Sequence, residues 1–161
     1  MELNTEFIET ALSCGFEREQ ALRALTLAGN NPDAAFDMLV SGSVPSSENY
    51  KMVILVRGDL QMGVGKIAAQ VGHAVLGAYK DSSEIKIREW EEGGSAKIVL
   101  RVSNLKELMD LHNEAVQKGL VAHMIQDAGR TQVEPGTVTV CAIGPDAVSK
   151  IDSVTSHLSL L

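Results

Sequence analysis

The sequence is poor in cysteine, in long apolar runs and in positive charge. Its two cysteines, Cys14 and Cys141, stand far apart, with no CxxC pair and no histidine at metal-ligand spacing. That argues against a disulfide framework and a zinc site and points to reduced, inert thiols. No apolar run reaches the roughly 18 residues of a membrane helix. The acidic start MELNTEFIET lacks the basic-then-apolar order of a signal peptide and does not read as a transit peptide. These absences predict a protein that stays off membranes and works in the cytoplasm or the nucleus, with the cytoplasm preferred. Lys and Arg number 14 against 21 Asp and Glu, a net charge of −7, which taken alone argues against a nucleic-acid partner. The distribution weakens that argument. Residues 1–49 hold eight acidic and two basic residues, whereas residues 50–161 hold 13 and 12, together with all four histidines. A nearly neutral remainder is free to gather its cations on one face.

What is present falls into two parts. The segment SGSVPSSEN (Ser41–Asn49) is rich in Ser, Gly and Pro, and residues 43–49 are assigned to a linker between residues 1–42 and residues 50–161. Before the linker, three short stretches carry apolar residues at helical spacing. They are Thr5 to Ser13 with Phe7, Ile8, Ala11 and Leu12, then Glu17 to Ala28, then a third helix capped by Asn31 with Pro32 at its first position. Three helices in about 40 residues lie near the lower limit for independent folding. With its CGF turn, its GNN-P-DAA entry to helix three and its ML pair, this segment resembles a ubiquitin-associated (UBA) domain. The resemblance implies ubiquitin as a partner, met by Gly15, Phe16, Met38 and Leu39. Cys14 stands where most such domains have Met.

After the linker, strand and helix patterns alternate. KMVILVR (Lys51–Arg57) is a continuous apolar, β-branched run, as in a strand buried on both faces. A helix follows over Gly65 to Lys80 and a shorter one over Glu84 to Glu92; AKIVLRV is a strand, and Ser103-Asn104 opens a helix through Lys118. VAHMIQD and TVTVCAIGP are strands, and a last helix is expected from Pro145-Asp146 to about Leu158. The order β-α-α-β-α-β-β-α predicts a three-layer α/β/α fold on a mixed four-stranded sheet, preceded by the small three-helix bundle.

Between the first strand and its helix lies MGVGKIAAQVGHA, Met62 to Ala74. A phosphate loop of GxxxxGK[ST] form is excluded, because residue 60 is Leu and Ile67 follows the lysine, leaving no hydroxyl for magnesium. Gly63 to Ala68 fits GxGxxA, but GDLQM separates it from the strand and AKIVLRVSN offers no acidic residue for a ribose. What remains is a lysine in the first turn of a helix, with Gln70 at i+4 and His73 at i+7 on its face. Unpaired N–H groups and the positive helix end add to the Lys66 charge, making a corner suited to an anion or to an oxygen gaining charge. A second polar cluster, HMIQDAGRTQVEPGT, ends a strand at Asp127 and carries Arg130 and Thr131 in the loop.

The blocks KMVILVRGDLQMGVGKIAAQVGHAVLGAYK, DAGRTQVEPGT and AIGP with the closing VTSHLSLL, in that order, resemble peptidyl-tRNA hydrolase of the second, archaeal and eukaryotic type. The resemblance runs from Lys51 to Leu161. It implies hydrolysis of the ester between a nascent peptide and the 3′ ribose of tRNA, freeing tRNA from stalled translation, with no cofactor and no metal. Lys66, Asp127 and Thr131 match the family's catalytic positions, with Gln70, His73 and Thr139 in support. Val64 stands where a second lysine is frequent, which removes one charge from the loop expected to face RNA. An ester is already activated, so a positioned water and a charge to hold the oxyanion suffice. Asp127 is expected to orient or deprotonate water, with orientation the larger role beside a lysine, Lys66 to hold the oxyanion, and Thr131 to hold water or substrate. Gly63, Gly65, Arg130 and Thr139 are candidates for tRNA contact. So are Arg57 and Asp59, which a plain ion pair explains equally well. Cys141 in its apolar run, His112, His123 and Trp90 read as structural, and His157 as a surface or helix-end residue. The rival function is a non-catalytic adaptor joining ubiquitin to tRNA or ribosomal partners. A homodimer through helix faces is compatible with the pattern.

Overall fold

Asparagine precedes two of the first three helices and supplies the acceptor that their unpaired N–H groups need. The computed structural model describes residues 4–45, 48–130 and 132–161, and the chain divides into two units, Met1–Ser47 and Glu48–Leu161. The first unit consists of α1 (Thr5–Ser13), α2 (Arg18–Leu27) and α3 (Pro32–Val40). Asn4 accepts from Phe7 N at 3.0 Å, and Asn31 accepts from Asp33 N and Ala34 N, each at 3.1 Å. The apolar faces close on Phe7, Ile8, Ala11, Ala24, Leu25 and Leu39. Val44, expected in the linker, is buried in the same core. Ser46 and Ser47 of the expected linker lie outside the described residues. Asn49, its last residue, accepts Val148 N at 2.9 Å within the second unit.

The second unit runs β1 (Tyr50–Arg57), α4 (Val64–Asp81), α5 (Glu84–Glu92), β2 (Lys97–Val102), α6 (Leu105–Gln117), β3 (Ala122–Gln126), β4 (Val138–Ala147), α7 (Val148–Thr155). The sheet order is β2-β1-β4-β3. β1 is parallel to β2 and antiparallel to β4, which is antiparallel to β3; Leu55 and Met124 both pair with Cys141. A central β1 explains its unbroken apolar run, since alternate residues meet opposite layers. Met52, Ile54, Val56, Val140 and Ala142 pack with Ala74, Ala78 and Trp90 of α4 and α5. Val53, Leu55, Cys141 and Ile143 pack with Leu108, Leu111 and Ala115 of α6 and Ile151 and Val154 of α7. The expected three-layer fold is the observed one.

The two margins of the sheet differ. Outside β2, Arg101 N donates to Ser159 O at 3.0 Å and Leu161 N to Val99 O at 3.1 Å, so the segment after α7 pairs with that edge. Among the described residues no strand pairs with the outer edge of β3.

One expectation fails locally. Pro145 and Asp146 do not begin the last helix; they finish β4, where Asp146 pairs with Lys51 and Ala147 with Tyr50. The cause is tertiary. The Asp146 side chain is 2% exposed and accepts from Lys86 Nζ of α5 and from Ala147 N, so an ion pair across layers overrides a local Pro-Asp helix-start signal.

Candidate active site

Asp127 directly follows β3, and the period of two places His123, Ile125 and Asp127 on one side of the strand. α4 runs past that strand with Lys66, Gln70 and His73 on one face. The elements meet at a polar cluster. Lys66 Nζ donates to Asp127 Oδ2, with the two side chains 8% and 5% exposed. Gln70 Nε2 donates to the same oxygen at 3.3 Å, and Gly129 N donates to Oδ1 at 2.7 Å. Behind them the Thr139 hydroxyl of β4 donates to Gln70 Oε1, which fixes which end of the amide faces Asp127. The loop is tied at its base: Asp127 N donates to Thr137 O at 2.8 Å and Gly136 N to Asp127 O at 2.7 Å. Gly129 has φ +73°, and a Cβ there would lie 2.3 Å from Pro135 Cγ, so only glycine both turns the chain and presents its N–H to the carboxylate.

The Lys66 ammonium, hydrogen-bonded to it, holds the Asp127 carboxyl below the usual carboxylate range. Burial opposes that shift, while the Gly129 N–H assists it. Asp127 is therefore ionised at neutral pH, a weak base and a strong acceptor. Two of its contacts sit on Oδ2 and one on Oδ1, which leaves acceptor capacity for a water.

The cluster opens into a groove of about 840 Å³ between α4 and the segment from His123 to Gln132. Lys66, Gly65, Gln70, His73, Asp127 and Arg130 line it, as expected site residues. Gly63, also expected at the site, does not line it; its N–H donates to Gln132 Oε1 of the groove at 2.7 Å and joins the α4 entry to the opposite loop. Thr131 lies outside the described residues. Thr139, expected to touch tRNA, has no exposed surface; its part is to hold Gln70. Arg57 and Asp59 do not line the groove. Arg57 pairs with both Asp59 oxygens, at 3.0 and 2.7 Å, and donates to Val138 O at 2.9 Å, which ties β1 to the start of β4.

Leu76, Lys80, His123 and Gln132 are among the groove residues that the sequence pattern had not singled out as site residues. Extending the face of α4 beyond His73 by helical steps reaches Leu76, Gly77 and Lys80, and stepping back by twos from Asp127 reaches Ile125 and His123. Gln132 had no local signal. His123 Nδ1 lies 2.6 Å from Asp81 Oδ2, and its ring rests on Gly77, where a Cβ would fall 2.2 Å from Nε2. Cys141 is buried, which pushes its thiol up to about 12, as suits a core residue rather than a nucleophile. Trp90 is buried and donates to Ala96 O at 2.8 Å, a packing anchor. Among the described residues no three His, Cys, Asp or Glu side chains are grouped to hold a metal ion, and no helix is long and apolar enough to cross a membrane.

In the first unit, Gly15 is exposed, and Phe16 and Met38 are half-buried. Phe16 packs edge-on against Phe36 with centroids 6.3 Å apart. Leu39, expected beside them at a ubiquitin surface, is 5% exposed and belongs to the small core.

Known sequences match both units. Residues 50–161 match the family described as peptidyl-tRNA hydrolase PTH2, and residues 10–39 match the UBA/TS-N domain. A peptidyl-tRNA hydrolase of Methanocaldococcus jannaschii is 48% identical over 114 residues, covering 69% of this chain and 99% of that protein. One of Sulfolobus acidocaldarius is 51% identical over 119 residues, with coverage of 69% and 99%. A Mus musculus protein, "Peptidyl-tRNA hydrolase 2, mitochondrial", is 48% identical over 117 residues, covering 71% of this chain and 65% of that protein.

Proposed function

The chain belongs to the peptidyl-tRNA hydrolase PTH2 family, and from that premise we propose that it hydrolyses the ester joining a peptide to the 3′ ribose of tRNA and so returns tRNA from stalled translation. The observation that carries the reading is the Lys66–Asp127 pair, almost withdrawn from water yet opening on a groove at the first turn of α4. Asp127, held ionised, accepts a hydrogen bond from the attacking water and aims it. Its low proton affinity makes orientation its main role. The water oxygen adds to the carbonyl, and as the tetrahedral oxyanion collapses the ester C–O bond breaks and the water proton goes to the departing ribose 3′ oxygen. Lys66 keeps one N–H on Asp127 and has two more to turn toward that oxyanion, backed by the helix N-terminus. Gln70 and Thr139 set the position of Asp127. Thr131 is assigned to hold water or substrate by the family resemblance; Arg130, Gly63 and Gly65 are assigned to the ribose and phosphates near the α4 entry, and His73, more than two turns along α4, to support of the catalytic groups.

The first unit is a UBA domain, and it gives the enzyme a ubiquitin-binding arm through Gly15, Phe16 and Met38. The cytoplasm is the site of action in this reading. Release of peptide from N-acetylaminoacyl-tRNA, without added metal, tests the whole. Rapid release by the wild type that is lost in Lys66→Ala and Asp127→Asn supports the hydrolase. Tight tRNA binding without release would make the protein an adaptor. Cell fractionation tests the compartment, and ubiquitin titration of the labelled chain tests the arm, with shifts at Gly15 and Met38 expected.

A further inference from the structure

The groove wall contains Ile125, Gln126, Asp127 and Ala128 in succession. Successive strand residues point to opposite faces, so a wall made of consecutive residues is made of main chain. Its first two residues, Ile125 and Gln126, end β3, whose outer edge no described strand pairs, whereas the opposite edge of the sheet is covered by Ser159 to Leu161. An open edge is a row of N–H and C=O groups that a second chain can complete. This one runs without a break into Asp127.

Resting on the hydrolase reading above, we propose that the peptide arm of the substrate adds to β3 as an extra strand. Its direction follows from the chemistry. The scissile carbonyl is the peptide's C-terminus and must stand at Lys66 and Asp127, so the rest of the peptide trails back along β3 toward Ala122. The peptide then runs N to C in the same sense as β3, and the pairing is parallel. Five residues of β3 at ~3.3 Å each offer about 16 Å, enough for about four peptide residues. Main-chain pairing suits an enzyme whose peptide differs with each substrate, because affinity comes from the backbone. The half-exposed Leu76 on α4 gives the facing wall an aliphatic surface without a shaped pocket.

The test uses one tRNA carrying N-acetylated peptides of one, two, four and six residues, with the full chain as enzyme. KM should fall roughly tenfold up to about four residues and then level, while kcat holds. N-methylation of alternate peptide amides should raise KM about three- to tenfold, and methylation of the amides between them should not. Changing side chains at constant length should leave KM within about threefold. A KM indifferent to length, or methylation effects without alternation, would overturn the inference and leave the hydrolase intact. A KM set instead by trimming the tRNA 3′ end would assign the β3 edge to nucleotides and overturn it as well. Failure to release even the single-residue substrate would remove the hydrolase reading, and this inference with it.

Discussion

Two lysine–aspartate pairs join the α4–α5 layer to the sheet, and they are chemically the same. Lys66 meets Asp127 at the end of β3, and Lys86 meets Asp146 near the end of β4. Both carboxylates are nearly inaccessible, at 5% and 2% exposure of their side chains. Their surroundings differ. Asp127 also takes the Gln70 amide and the Gly129 N–H and borders a groove, whereas Asp146 turns its second oxygen to its own following N–H and borders none of the groove. A buried ion pair by itself says little about function, since its desolvation cost and its attraction nearly offset each other. Access from a groove and a network that fixes the carboxylate separate the pair proposed to react from the pair that braces.

Breaking each pair in turn sharpens the contrast. Lys66→Ala or Asp127→Asn should lower kcat by on the order of 10²–10³, read by single-turnover release, with circular dichroism showing the fold retained. Lys86→Met should leave kcat within about twofold and cost about 1–3 kcal/mol of stability in urea, because Asp146 stays buried without its partner. A catalytic collapse in Lys86→Met would erase the distinction. Thr139→Val should lower kcat by roughly threefold to tenfold by freeing the Gln70 amide, and Thr139→Ser should restore it; failure of serine to rescue would mean that packing, not the hydroxyl, matters.

The smallest effect is an absence of change. Because Lys66 holds the Asp127 carboxyl down, kcat/KM should show no carboxylate titration between pH 7 and about pH 4, the ordinary range. An acid limb near pH 6 would mean that Asp127 works as a raised-pKa base. The same depression contributes stability that is complete above the unfolded carboxylate value and lost as pH falls through the folded one.

The corner where Lys66, Gln70 and Asp127 meet was legible because its signals are short-range. Helical spacing aligns Lys66, Gln70 and His73, and a strand ending in Asp before a glycine announces a loop. Element order was legible for a similar reason, since the apolar run of β1 and the asparagine caps are local. Long-range contacts hid the rest. Pro145-Asp146 reads as a helix start until Lys86 arrives from α5. Gln132 gains meaning only when its loop folds back onto Gly63. Arg57 reads locally as a free cation, and only the fold shows that Asp59 and Val138 O engage three of its N–H groups.

The bare contact between Gly77 and the His123 ring acts at a distance. Lys66 lies eleven residues before Gly77, about 16 Å along the same rigid rod. A methyl group at position 77 forces either the ring aside, at the expense of its Asp81 contact, or the rod outward. Pivoting the rod swings its far tip, where the ammonium meets the carboxylate. The alignment of Lys66 with Asp127 is thus gauged three turns away by a residue with no side chain, so Gly77→Ala is a mistuned lever rather than a surface change.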